Sequence, residues 1–334
     1  MKAEPKGGIQ ARLGCLVWML VLFSVPCLFV LIAADNCFNL RSNATYLAFN
    51  HSTQPLEVRL SKGSWKDVSA VTVAELERAR TVKAEDGGFR WTVLTVQRKA
   101  ETWKQNLVGT LLDAEINVIE IPPTGYSFHT TFQDKFSLTT AKERLYAGNF
   151  VFTVTGNFRD PKGKPLGLVI HDSQQRNPPF PAWTGYFFVK GGKTYFGPKS
   201  LYEETPGPAT EATQGYPSIM KNHTIFSYVD LKPDRYFDGP KITYRSLAGM
   251  RKDGTLVFIL SGNGGAMNVS EVAALAQKLN LQHATLLDGG RALQYSLQIG
   301  AQTYHFHAFN TFLDVPWKDL QPEKSPVFIG VKKG

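Results

Sequence analysis

The stretch GTLVFILSGNGGAMNVSEVAALAQKLNLQHATLLDGG, residues 254–290, admits few folds. GTLVFIL (254–260) is an unbroken apolar run of strand length behind a glycine, and SGNGGAM (261–267) is a glycine-rich loop. Asn268 with Glu271 three positions later reads as a capping-box start. Val269, Val272, Leu275, Ala276 and Leu279 then recur at helical spacing, so this helix buries one face. After Asn280 the chain re-enters an apolar run that stops at Asp288. A strand–helix–strand connection of this length predicts parallel strands joined by a right-handed crossover. The loops 261–267 and 288–292 would then leave the sheet at one edge, where ligands collect in α/β sheets. Asp288 stands on that rim, beside a helix N-terminus that favours anions.

Alternating strands dominate the rest: RWTVLTV, AEINVIEI, NFVFTVTG, LGLVI, GYFFVK and KTYFG, each near Gly or Pro. An aromatic content of 12%, with 29 Gly and 19 Pro, fits short strands joined by turns better than a helical bundle. VTVAELERAR (71–80) has helical spacing, and the Pro/Gly/Thr-rich residues 203–217 read as a surface loop over a site. The expected class is mixed α/β or α+β: one β-rich globular domain, residues 89–334, carrying the strand–helix–strand unit near its end. Residues 35–88 are expected to be a peripheral N-terminal segment.

Leu13–Ala34 runs 22 residues without a charge, after a basic tail (residues 1–12) holding Lys2, Lys6 and Arg12 against Glu4. At about 1.5 Å per residue this is roughly 33 Å of helix, enough to cross a bilayer core. A cleavable signal peptide is the competing reading, but its apolar core is shorter and no clean A-x-A site follows. The expectation is a single-pass signal-anchor in the lipid bilayer. Its N-terminus would be cytoplasmic and its main domain extracytoplasmic, in a bacterial periplasm or on a cell surface. The three cysteines, Cys15, Cys27 and Cys37, leave the outer domain almost without thiols, which rules out a cysteine-based zinc site. Net charge is +9, with no Lys/Arg cluster of the kind that binds nucleic acid.

Ile242–Leu297 resembles the phosphodiester glycosidase family. The family pattern is an Arg before a small-residue step, a turn with Gly, a strand, a Met-led helix start with Glu, and a closing Leu-Asp-Gly-Gly. Here those positions are Arg245, Gly249, Asp253-Gly254, Met267, Glu271 and Asp288-Gly289-Gly290. Upstream, TGNFRDPKGKPLGLVI (155–170) is similar to a second family segment, through Gly156, Phe158, Asp160, Pro165 and Gly167. The resemblance covers roughly residues 105–330. Thr155 departs from the family's Asn, and Arg291-Ala292 from its Gly-Ser.

The resemblance implies cleavage of the C1–O bond of a sugar phosphodiester of the cell envelope, without cofactor or metal. A phosphate leaves as a stable anion, its second pKa being about 6, so an acid catalyst matters less than for a sugar alcohol. Asp288 is the leading carboxylate, as nucleophile, base or oxocarbenium stabiliser, although Asp-Gly is also a common turn pair. Asp160 is the second candidate, in a DPKG sequence that reads equally well as a turn. Glu271 is the third, with helix capping as its alternative. Arg245 has the planar fork for bidentate phosphate binding, or makes a surface ion pair. Gly289, Gly290, Asn263 and Gly264 offer backbone amides; Thr155, Asn157, Arg291 and His171 complete the substrate-contact candidates. His305 and His307 alternate on a strand without a third ligand, which favours a non-metal pair. Because Thr155 and Arg291 depart from the family, a non-catalytic module binding phosphoglycans stands as the alternative.

Overall fold

The computed structural model describes residue 22 and residues 24–30, 40–61, 63–226, 238–308 and 322–334, with side chains in the first long segment from residue 44. The chain divides into two compact units, residues 1–41 and 42–334. Most of Leu13–Ala34 lies outside the described residues; within it, residue 22 and residues 24–30 are helical and exposed. Among the described residues no helix is long and apolar enough to cross a membrane.

Three antiparallel sheets build the larger unit. The largest has ten strands. From one edge it runs Thr224–Ile225, Ser218–Lys221, Leu281–Leu286, Ser246–Arg251, Leu256–Ser261, Ala114–Ile121, Phe89–Arg98, Leu56–Ser61 and Ser64–Asp67. Thr81–Asp86 pairs with the first half of Phe89–Arg98, and Leu56–Ser61 with its end. A five-stranded sheet orders Lys193–Pro198, Gly185–Lys190, Ala209–Gly215, Val169–His171 and Gln174–Asn177. The third orders Gln302–His307, Gln294–Ile299, Phe152–Thr155, Val327–Lys333 and Tyr126–Phe132.

The expected strand–helix–strand unit forms, with helix Val269–Lys278 capped as read from Asn268 and Glu271. Its two strands are not neighbours. Ser246–Arg251 lies between them, antiparallel to both, so the flanking strands run the same way. Leu260 faces Ser246 and Leu286 faces Leu247, which places both strand ends at one edge. Two sequence expectations need correction. Residues 56–86 are not peripheral: their strands extend the large sheet, and Val58, Val71 and Leu76 are fully buried in its core. Of 203–217, residues 203–208 lie at the surface as read, but Ala209–Gly215 is a buried strand central to its sheet. Its Ala and Thr side chains are small or β-branched, which suits a covered strand whatever the turn residues beside it.

The alternation of side chains sorts the central strands into two cores. In Leu256–Ser261, Val257 and Ile259 enter one core with the apolar stripe of helix Val269–Lys278; Leu256, Phe258 and Leu260 enter the other. The second core joins the three sheets. Phe258 lies edge-on to Phe152 of one small sheet, centroids 4.9 Å apart, and to Phe196 of the other at 5.3 Å. Each ring is fully buried, so aromatic packing at this junction fixes how the sheets meet. Phe258→Ala is therefore expected to cost about 3–5 kcal/mol, read as a lower denaturant midpoint with unchanged slope.

Candidate active site

The edge shared by the strand ends opens on a cavity of about 520 Å3. Five segments wall it: residues 46–51, Phe158, Tyr216, residues 238–246 and residues 286–291. Asp288, Gly289, Gly290, Arg291 and Arg245 all line it, as the sequence reading required.

The two glycines after Asp288 have separate causes. A side chain on Gly289 would meet the carbonyl oxygen of Tyr244 at 2.8 Å, so the loop can lie against the neighbouring backbone only as glycine. Gly290 takes a left-handed φ of 58°, and its amide donates to the same Tyr244 carbonyl at 2.7 Å. This turn holds Asp288 at the wall, 7% exposed. Burial pushes its carboxyl up to about 8. The charge of Glu323 adds to the rise, while Arg159 and the Gly289 amide oppose it. Arg159 and Glu323 are themselves ion-paired. Burial at this position therefore favours the protonated carboxyl over the carboxylate.

Arg245 is 9% exposed, and its fork faces protein rather than a ligand. Nε donates to the Met267 carbonyl at 3.2 Å, and Nη2 to those of Asp238 (2.5 Å) and Lys241 (2.8 Å). Burial lowers its pKa to about 10. It clamps the segment 238–245 to the end of the glycine loop. Arg291 and Lys241 are exposed cations at the cavity. Tyr46 stacks on Tyr244 at 5.1 Å, giving the wall an aromatic face; Tyr216 and Phe158 supply more. Asn50 Oδ1 and Ser246 Oγ, in the same lining, are buried without a hydrogen-bond partner among the described residues.

The other sequence candidates sit elsewhere. Glu271 is buried in a bidentate pair with Arg98, both bonds 2.6 Å, and accepts from the amides of Leu56 and Asn268 at 3.0 and 2.9 Å. It does not line the Asp288 cavity. Asp160 is a turn residue, its Oδ1 accepting from the amides of Lys162 and Lys164 at 2.8 Å each. Thr155 is fully buried and donates to the Ala292 carbonyl at 2.9 Å, tying the strand Phe152–Thr155 to the loop beyond Asp288. Asn157, also fully buried, donates to the carbonyls of Leu166 and Leu168 at 3.0 and 3.2 Å. Asn263 and Gly264 belong to a loop that turns toward Ala114–Ile121: Asn263 accepts from the Glu115 amide at 2.9 Å, and Gly264 packs on Thr45. His171 lies on another sheet, its Nδ1 3.2 Å from Glu211. His171, Asp172 and Glu211 bring one ligand atom each within 4.8 Å of one another, so this trio is where a cation would find ligands. His305 contacts Tyr146 through Nε2 at 3.3 Å, and burial lowers the pKa of His307 to about 4.

Comparison with known proteins now decides the family. The model for the phosphodiester glycosidase family matches residues 148–315, just over half of the 334 residues. The chain belongs to the phosphodiester glycosidase family. Among solved structures it is similar to the catalytic domain of zebrafish N-acetylglucosamine-1-phosphodiester alpha-N-acetylglucosaminidase, described as auto-inhibited by its pro-peptide. That match has a TM-score of 0.53 at 17% identity, over 86% of this chain and 87% of that one. It also resembles a hypothetical protein from Synechocystis, with a TM-score of 0.53 at 12% identity, over 75% and 63% of the two chains. Comparison with curated proteins finds no significant match. The matched region holds Phe158, Tyr216, Arg245 and Asp288, whereas Tyr46, Asn50 and His51 reach the cavity from outside it.

Two outcomes separate structural from chemical roles. Glu271→Gln leaves a buried Arg98 charge uncompensated, so a loss of about 3–5 kcal/mol in denaturant unfolding is expected. For Asp288 the folded pKa is raised, so the folded state binds the extra proton between about pH 4 and 8 and stability falls as pH rises through that window. Asp288→Asn removes that dependence. It should melt several degrees above the parent at pH 8 and level with it near pH 4, in thermal scans.

Proposed function

We propose that this protein is an extracytoplasmic, membrane-anchored hydrolase that cleaves the C1–O bond of a sugar phosphodiester of the cell envelope. The observation that carries the reading is a carboxyl group, Asp288, buried at the wall of an aromatic and cationic cavity, where burial raises its pKa. Family membership supports the reaction class, and the apolar run Leu13–Ala34 behind a basic tail supports the anchor.

In this reading the sugar stacks on Tyr46, Tyr244 or Tyr216, and Arg291 with Lys241 meets the phosphate charge. Asn50 Oδ1 and Ser246 Oγ supply hydrogen-bonding capacity for sugar hydroxyls that the protein leaves unused. Water forms the new bond to C1 as the C1–O bond breaks, the electron pair stays on the departing phosphate oxygen, and the proton that the water loses goes to bulk solvent, which also returns to Asp288 any proton it gives up. Asp288 donates a hydrogen bond or proton to that phosphate oxygen, countering the charge that develops there. The Arg159–Glu323 pair sets the pH range over which Asp288 can donate. Arg245 is a positioning residue. The name of the zebrafish relative points to N-acetylglucosamine as a sugar to try first.

Turnover of a GlcNAc phosphodiester in ¹⁸O-labelled water tests the reaction: label in the sugar supports C–O cleavage, and label in phosphate overturns it. Saturable binding without turnover would favour the phoshoglycan-binding alternative, which the exposed Arg291 at the cavity also fits. Asp288→Asn is expected to lower kcat by about 10²–10⁴-fold. Activity should decline above about pH 8. Because the Glu323 charge raises the Asp288 pKa, Glu323→Gln should move that alkaline limb to lower pH; an unmoved limb removes Asp288 as the titrating donor.

A further inference from the structure

A second cavity, of about 440 Å3, opens where Tyr126–Phe132 and the turn after it meet His171 and the strand Gln174–Asn177; among the described residues it shares no lining residue with the first. Lys135, Arg144 and Arg176 line it against a single carboxylate, Asp134. Among the described residues none of these three cations makes an ion pair, whereas Arg59, Arg80, Arg90, Arg98, Arg159 and Arg251 each meet a carboxylate. Arg144 is half-buried. Its Nε and Nη2 both donate to Thr131 Oγ1, at 3.1 and 2.6 Å, which fixes the plane of the guanidinium without neutralising it. Burial accordingly lowers its pKa from the usual value. A desolvated charge held by a neutral hydroxyl lacks the counter-charge that such groups normally have. His171 forms another side of the cavity, anchored from behind by the buried Glu211. Its ring edge meets Phe132, centroids 5.4 Å apart.

We propose that this second cavity is an oxyanion site that takes a phosphate group, free or carried on a glycan, through Arg144, Arg176 and Lys135. Three cations against one carboxylate leave two net positive charges, matching a phosphate dianion, and arginine's fork suits its oxygens. The inference is independent of the chemistry assigned to Asp288. On an envelope phosphoglycan, a second phosphate held here would orient the polymer relative to the protein.

The test is isothermal titration of the whole protein with inorganic phosphate, at constant ionic strength set by chloride. One saturable component is expected to weaken about tenfold in Arg176→Gln and in Lys135→Gln, the loss of one charge-assisted hydrogen bond each. Both residues are exposed, so their melting temperatures should match the parent and keep the comparison interpretable. Arg291→Gln, which alters the other cavity, should leave that component intact. Repeating the titration with a glycerol phosphodiester separates the sources: binding of both ligands supports glycan-borne phosphate, and binding of inorganic phosphate alone supports the free anion. No saturable component, or one unmoved by Arg176→Gln and Lys135→Gln but removed by Arg291→Gln, overturns the proposal.

Discussion

The edge that carries the cavity depends on the buried guanidinium of Arg245. A charge at 9% exposure would be prohibitive without compensation, and here it comes from backbone dipoles. The carbonyls of Asp238, Lys241 and Met267 converge on one side chain. They belong to the strand approach and to the far end of the glycine loop, so the clamp closes two loops at once. Its own amide is bonded to Ser261 Oγ at 2.9 Å, and the Ser261 amide returns to the Arg245 carbonyl at the same distance. With that frame fixed, Tyr244 presents the carbonyl on which the Asp288 turn rests. An arginine read from sequence as a phosphate fork thus builds the wall that a substrate would meet.

The carboxyl group carried by that wall has a changed character for the same reason. Asp288 is held by glycine backbone at 7% exposure, and Glu323 lies near enough to add repulsion. A solvent-exposed aspartate would be ionised and could serve as base or nucleophile. Burial beside a second carboxylate raises its pKa and favours the protonated form. Arg159, ion-paired with Glu323, opposes the rise.

Legibility in the sequence followed the range of the interactions. The capping box at Asn268 and Glu271, the apolar stripe of the helix and the alternating strands are local, and each formed as read. The shared edge was also readable, because a helical crossover constrains strand direction even when another strand intervenes. Gly289 and Gly290 line the cavity, but the amide of Gly290 is taken by the Tyr244 carbonyl. Candidate roles shifted where a distant partner took the side chain: Arg98 takes Glu271, lying 173 positions before it, and the loop beyond Asp288 takes Thr155. Tyr46, Asn50 and His51 carry no signal of periodicity or spacing. Only packing of residues 44–51 against the large sheet and the strand approach at Tyr244 brings them to the cavity.

By itself the sequence determined the β-rich class, the strand–helix–strand unit, the family and the place of Asp288 on a sheet edge, because each follows from patterns within a few dozen residues. Tertiary structure decided the raised pKa of Asp288, the inward use of Arg245, the nearness of Glu323 and the aromatic wall. Those properties depend on which groups exclude water from one another, and residues far apart in the chain meet only after folding.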